Sequence, residues 1–193
     1  MVATIRYGLP GTSLDACTAE YLSESKDHPA DVWMVLPVNR LAETVKKDII
    51  SQKIPIIPSR ITTIPAFAEI IATVAYPDVR VLSSVEQKLV FSRIIENNHE
   101  ICDIFHPKTD STDCPKKIVS FSLVENIVTL YNTLKVRHAV LPTKNDKLAI
   151  FASIFAAYEK FCDTERIADT PSVLRLASVA VRSGKFPLRS VYI

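Results

Sequence analysis

The hydrophobic positions of this chain first switch back and forth between strand-like and helix-like spacing, and from about Ser83 keep to helical spacing alone. Residues 3–7, ATIRY, read as a short strand feeding a loop that holds Gly8 and Gly11. In LDACTAEYL, which follows, Leu14, Cys17 (or Thr18), Tyr21 and Leu22 recur at helical spacing. DVWMVL, 31–36, is an apolar run without alternation, the pattern of a strand covered on both faces in a parallel sheet, and Pro37 ends it. NRLAETVKKDII puts Leu41, Val45 and Ile49 on one side of a helix and an i,i+4 pair, Glu43–Lys47, on the other. IPIIPSRITTI is too rich in proline for a central strand, apart from a short piece around Arg60–Thr62. Thr63 and Pro65 then open a helix running through Phe67, Ile70, Ile71 and Val74.

The order β–loop–α–β–α–β–α predicts a parallel sheet with helices on both faces, an α/β fold. Beyond it come helices only. SSVEQKLVFSRIIENN opens on a capping box, Ser83 to Glu86 or Ser84 to Gln87. Residues 118–135, 145–165 and 171–184 each carry a broad apolar stripe, Gly184 suits a C-cap, and 106–117 is a polar loop. LRSVYI at the end reads as a strand whose only available neighbours are in the first sheet, so it is expected to return there and the natural protein to continue past Ile193. The expected organisation is an α/β part over 1–82, a helical insertion over 83–185 and a returning strand over 186–193.

Composition sharpens this reading at one place. The chain has 193 residues, 48% apolar and 23% charged, with a net charge of +2, so no global basic field points to nucleic acid. The longest apolar run, 148–158, is short of the roughly 20 residues a membrane span needs, and the N-terminus lacks the pattern of a signal peptide. Cys17, Cys102, Cys114 and Cys162 form no CxxC pair and read as reduced thiols of a cytoplasmic protein. Average usage would supply about 13 glycines; there are 3, and two of them, Gly8 and Gly11, share the loop after the first strand.

That loop aligns with the phosphate-binding sequence GPPGTGKT over residues 8–15 without a gap. Gly8, Leu9, Pro10, Gly11 and Thr12 suit it; Ser13, Leu14 and Asp15 stand where glycine, lysine and a hydroxyl residue belong. Two like charges 4 Å apart cost about 4 kcal/mol at an effective dielectric near 20. Replacing the lysine's attraction with Asp15's repulsion therefore weakens triphosphate binding by about three orders of magnitude or more. The expectation is a P-loop NTPase-like sheet with an inserted all-helical subdomain, carrying a degenerate loop that binds no ATP. A chance glycine turn in an unrelated α/β domain is the other reading.

Further segments fall into a known order. VWMVLPVNRLAETVKK resembles the second-strand motif of UvrD-type superfamily-1 helicases, where "VPTNRLA" follows the strand, and ITTIPAFAEIIA resembles their next, threonine-containing motif. LSSVEQKLVFSRIIENN is similar to the "S-x-x-E" helix after it, AIFASIFAAYEKF to the "iy-x-x-Y" helix of the inserted subdomain, Asp169 to the aspartate that follows, and SVYI to the strand leading to Walker B. Across the whole chain the pattern most resembles the N-terminal helicase-like domain of AddB-type subunits of helicase–exonuclease complexes. The resemblance implies a domain of a double-strand-break-repair protein with a nuclease region further on, a partner helicase–nuclease subunit, and contacts to single-stranded DNA from Asn39 and Arg40 with Thr62 or Thr63. It implies neither ATPase nor nuclease activity for this chain by itself: no catalytic residues, no cofactor and no metal are assigned.

Other residues carry alternatives. Asn39 as a helix cap beside a solvated Arg40 competes with the DNA reading, and an interaction module that kept the fold without DNA binding competes with the function as a whole. A divergent nucleotide-dependent transferase would also want the missing lysine. His99, Cys102, His106 and Cys114 would suit zinc by ligand type, although their spacing matches no familiar finger; Asp103, Asp110 and Asp113 read as a solvated loop. Trp33, in a buried strand, reads as core. Lys46, Lys47, Lys116, Lys117, Arg182, Lys185 and Arg189 are spread along the chain, and only the fold decides whether they meet.

Overall fold

A computed structural model describes residues 12–97, 120–141 and 146–193. The strand expected at 3–7, Gly8 and Gly11, and the His99–Cys114 set lie outside the described residues. Among those described the order is α1 (Thr12–Ser25), β1 (Val32–Leu36), α2 (Asn39–Ser51), a 3-10 turn (Pro58–Arg60), β2 (Ile61–Thr63), α3 (Ile64–Ala75), β3 (Arg80–Val81), α4 (Ser84–Glu96), α5 (Phe121–Val136), α6 (Asp146–Glu165), β4 (Ile167–Ala168), α7 (Thr170–Arg182) and β5 (Ser190–Tyr192). The chain divides into two compact units, Met1–Ala75 with Leu176–Ile193, and Tyr76–Arg175. The architecture is α/β. No helix among the described residues is long and apolar enough to cross a membrane.

The first unit is built around β1. Its partners are β2 on one side and β5 on the other, both parallel, giving the order β2-β1-β5. The register sets Met34, Val35 and Leu36 beside Ile61, Thr62 and Thr63, and Val32, Trp33 and Met34 beside Ser190, Val191 and Tyr192. All five residues of β1 are buried, as its unbroken apolar run requires. Val32, Met34 and Leu36 pack with Tyr21 of α1, with Ala42, Val45 and Ile49 of α2, and with Ile61. Trp33 meets Phe67 of α3 at 4.8 Å between ring centroids and Phe186 at 6.2 Å. The Arg60 guanidinium lies 4.1 Å from the Trp33 ring centre. Trp33 Nε1 and Arg60 Nε are both buried without a hydrogen-bond partner, so ring–cation attraction, worth about 0.5–2 kcal/mol, is the polar term at this corner.

A single carboxylate fastens β5. Glu24, in the last turn of α1, accepts from Arg189 Nε (3.0 Å), Ser190 Oγ (2.8 Å) and Tyr192 Oη (2.7 Å). The Tyr192 and Ser190 hydroxyls, then the Arg189 guanidinium, hold this carboxyl below its ordinary value.

In the second unit, α4, α5 and α6 enclose Phe91, Tyr131, Phe155 and Tyr158. Phe91 and Tyr158 stack at 4.2 Å, and Tyr131 stands edge-on to Tyr158 at 4.9 Å. Buried Gln87 exchanges two hydrogen bonds with Asn132, tying α4 to α5. The capping box is the Ser83–Glu86 one, with Glu86 Oε2 accepting from the Ser83 N–H at 2.9 Å and Ser83 Oγ accepting from the Glu86 N–H at 3.2 Å. The Ser83 backbone and hydroxyl bonds, reinforced by Arg80, bring the Glu86 carboxyl down to about 2.

Several local expectations are corrected. The strand expected at Arg60–Thr62 is Ile61–Thr63, because Pro58 starts a tight turn that takes up Arg60. Glu43 pairs with Lys46 at 2.9 Å, an i,i+3 contact, in place of Lys47. Val38 occupies the N-cap position of α2 in extended conformation without a side-chain cap, and Asn39 is the first helical residue. The region from Ser83 onward is not helices alone: β4 pairs in parallel with β3, Arg80 beside Ile167 and Val81 beside Ala168.

At three helix ends another residue stands where glycine is usual. Lys53, His138 and Arg166 adopt positive φ (58°, 52° and 52°) just after α2, α5 and α6, where glycine is the usual occupant, as Gly184 is after α7. The bonds Ile54 N–H to Ile49 O (3.3 Å) and Ala139 N–H to Leu134 O (2.9 Å) close the terminal turns there. Lys53→Gly and His138→Gly should each stabilise the protein by about 0.5–1 kcal/mol by removing left-handed strain, raising the thermal midpoint by about 1–4 °C. Glu24→Gln should cost about 1 kcal/mol and speed amide exchange at Val191 and Tyr192. Because the folded-state value of Glu24 is depressed, its contribution is complete at neutral pH and disappears as pH falls from the ordinary carboxylate range through the folded value; the difference between wild type and variant in chemical unfolding should close over that interval.

Candidate functional site

Parallel pairing sends the carboxyl ends of β1 and β2 to the same edge of the sheet, with Leu36 beside Thr63. Asn39 and Arg40 begin α2 directly after the turn that leaves β1. All four nominated residues therefore gather at one rim: Asn39 and Arg40 exposed, Thr62 and Thr63 half-buried. Loops at this end of a parallel sheet are where α/β folds put their ligands. Val38 and Ile64 flank the polar residues and are exposed at 55% and 49%. The rim thus joins one cation, one amide and two hydroxyls to bare aliphatic surface. It can hold an anionic backbone through hydrogen bonds and charge while meeting apolar groups beside it.

Thr12, Ser13, Leu14 and Asp15 form the first turn of α1. Leu14 packs against the apolar cluster under β1. Ser13 is exposed, and so is Asp15, the one acidic residue of that turn. A carboxylate there answers the partial positive charge of the helix start from within the chain.

A second polar group, not anticipated as a unit, lies in the Tyr76–Arg175 unit. Lys135 Nζ donates to Tyr131 Oη (2.6 Å) and Asp169 Oδ2 (3.0 Å) and is ion-paired with Glu159 Oε1 at 2.9 Å, so three oxygens surround it. Tyr131 Oη also bonds Glu159 and, at 3.0 Å, Asp169. Asp169 is 1% exposed. Its Oδ1 accepts from Ser172 N–H at 2.9 Å and its carbonyl from Val173 N–H at 2.8 Å, which caps α7. Burial alone would raise the Asp169 carboxyl; the Lys135 charge and the Ser172 hydrogen bonds outweigh it and leave the group below its ordinary value. Burial, followed by the Glu159 hydrogen bond and the Asp169 and Glu159 charges, pushes the Tyr131 phenol upward, so the hydroxyl stays protonated. This is a helix cap braced by an ion pair. Its local signals were the i,i+4 spacing of Tyr131 and Lys135 and the helix start Asp169-Thr170-Pro171.

Among the described residues no group of three or more His, Cys, Asp or Glu side chains could hold a metal ion. Trp33 is core, as its place in β1 requires. Cys162 is buried and Cys17 partly so, and neither is in a disulfide.

Asp169→Asn should lower stability by about 2–3 kcal/mol at pH 7, because Lys135 loses a partner inside the fold. The depressed value of Asp169 fixes the sign: the wild-type advantage is full above the ordinary aspartate range and vanishes as pH falls through the folded value. Urea titrations of both proteins from pH 7 downward measure this convergence. Against known proteins, the chain matches no family model, no curated protein and no solved structure.

Proposed function

We propose that this chain is a catalytically degenerate, helicase-like domain with a P-loop-type core, serving in an AddB-like double-strand-break-repair nuclease as scaffold and as a guide for single-stranded DNA. One observation carries the reading: Asn39, Arg40, Thr62 and Thr63, nominated by resemblance to helicase motifs, meet at the carboxyl rim of two adjacent parallel strands. Parallel pairing of β1 with β2 places both motifs at the end of the sheet where α/β folds put their ligands. The first turn of α1 supports the degenerate half of the proposal, since Leu14 belongs to the core and Asp15 brings a negative charge to the helix start. The parent protein's nuclease region and partner subunit belong to the same proposal.

A second reading draws on Val38 and Ile64. Their exposure beside Arg40 also suits a protein partner, which would make the domain an interaction module without DNA binding.

Fluorescence anisotropy with a labelled oligothymidylate separates the two. The guide predicts binding without ATP or Mg²⁺ that weakens as salt rises, with a log–log slope of about −0.7 per phosphate engaged. Arg40→Ala should reduce that slope by about 0.7 and weaken binding at low salt, with Asn39→Ala weakening it less. An absence of salt-sensitive binding in the wild type would leave only the interaction module.

A further inference from the structure

The polar residues at the rim of β1 and β2 sort to one side of the sheet. Side chains alternate between faces along a strand, and neighbours in register share a face. Thr63 stands beside Leu36, and Leu36 belongs to the cluster with Ala42, Val45 and Ile49 of α2. Thr63 is therefore on the side of α2, with Asn39 and Arg40, and Thr62 is on the opposite side, with Val35. The start of α2 is open. Val38 gives it no side-chain cap, its first turn holds no acidic residue, and the N–H groups of Asn39, Arg40 and Leu41 make no backbone hydrogen bond among the described residues. Arg40 enters no ion pair among the described residues, and the acid one turn along, Glu43, is taken by Lys46 at 2.9 Å. Donors and positive charge thus meet at one point, which suits a phosphate.

We propose, resting on the DNA reading above, that Val38 and Ile64 pack against unstacked bases of the single strand whose phosphate lies at the start of α2. Val38 directly precedes α2 and is 55% exposed; Ile64 directly follows Thr63 and is 49% exposed. Val38 stands where helices ordinarily carry a serine, threonine, aspartate or asparagine cap, so neither local structure nor burial accounts for an aliphatic side chain there. Neither residue can hydrogen-bond a phosphate or a sugar through its side chain. Each can lie against the face of a base, as isoleucine and leucine wedges do elsewhere. Bases in a duplex hide their faces in the stack, so this contact requires a single strand. Phe67, the aromatic nearest in sequence, is engaged by Trp33 at 4.8 Å between centroids, which leaves the aliphatic pair as the apolar surface at this point. Two side chains match one or two bases in size, whereas a protein interface of standard size takes about 800 Å² from each partner.

Fluorescence anisotropy with oligothymidylate and with an abasic oligonucleotide of equal length isolates the bases, because the two carry the same phosphates. Wild type should bind oligothymidylate about tenfold more tightly at a given salt concentration, with equal salt slopes. Val38→Ser and Ile64→Ser should each cut that advantage about threefold, the effect of about 30 Å² of apolar contact. Serine suits a helix N-cap, so Val38→Ser should keep or raise the unfolding midpoint. Arg40→Ala and Thr63→Val should weaken both oligonucleotides alike. Equal, salt-sensitive binding of the two oligonucleotides would overturn the proposal while the DNA reading stands, and so would an advantage for oligothymidylate that survives both serine substitutions together. Absence of salt-sensitive binding to either would overturn both and leave Val38 and Ile64 to a protein partner.

Discussion

A strand with no wet face must be sheathed twice, and that constraint organises the first unit. All five side chains of β1 are shut away from water, each worth about 1.5–3 kcal/mol when fully buried. The Val32–Met34–Leu36 face is satisfied by Tyr21 and the apolar stripe of α2, and the opposite face, at Trp33, by Phe67 and Phe186. The two edges are satisfied by β2 and β5. Because both neighbours run parallel to β1, each must be reached by a crossover, and the polar residues at the strand ends collect at one rim as a by-product.

Elements that declare themselves through period or capping were legible in the sequence. The apolar run of β1, the stripe of α2 and the capping box of α4 each have a direct physical cause, and each lies within a residue or two of the expected place. What stayed hidden lacks such a signal. Two-residue strands such as β3 and β4 are too short to show alternation. The ends of α2, α5 and α6 are marked by Lys53, His138 and Arg166, none of which announces a stop as glycine does. Long-range polar contacts are hidden for a different reason: Glu24 and Arg189 are 165 positions apart, and Tyr131 and Asp169 are 38 apart. The nominated rim residues were identified by resemblance, but their proximity follows only once β1 and β2 are known to pair in parallel.

The two polar clusters differ in what they leave open. In the Tyr131–Lys135–Glu159–Asp169 group the lysine is ringed by three oxygens and Asp169 is sealed in, so the group turns inward and rigidifies the start of α7. At the sheet rim Asn39 and Arg40 stand in solvent with exposed aliphatic neighbours. The first turn of α1 belongs with the closed class, since Asp15 sets a negative charge of the chain's own against the helix start.

The left-handed residues that end three helices also bear on the denatured chain. Glycine is the residue with most freedom to lose on folding, and this sequence has three in 193. Keeping lysine, histidine and arginine at those helix ends strains the native state by about 1 kcal/mol apiece, yet it also narrows the ensemble from which folding starts. Some of this protein's resistance to unfolding therefore resides in disorder the unfolded chain never gains, and no inventory of native contacts would reveal it.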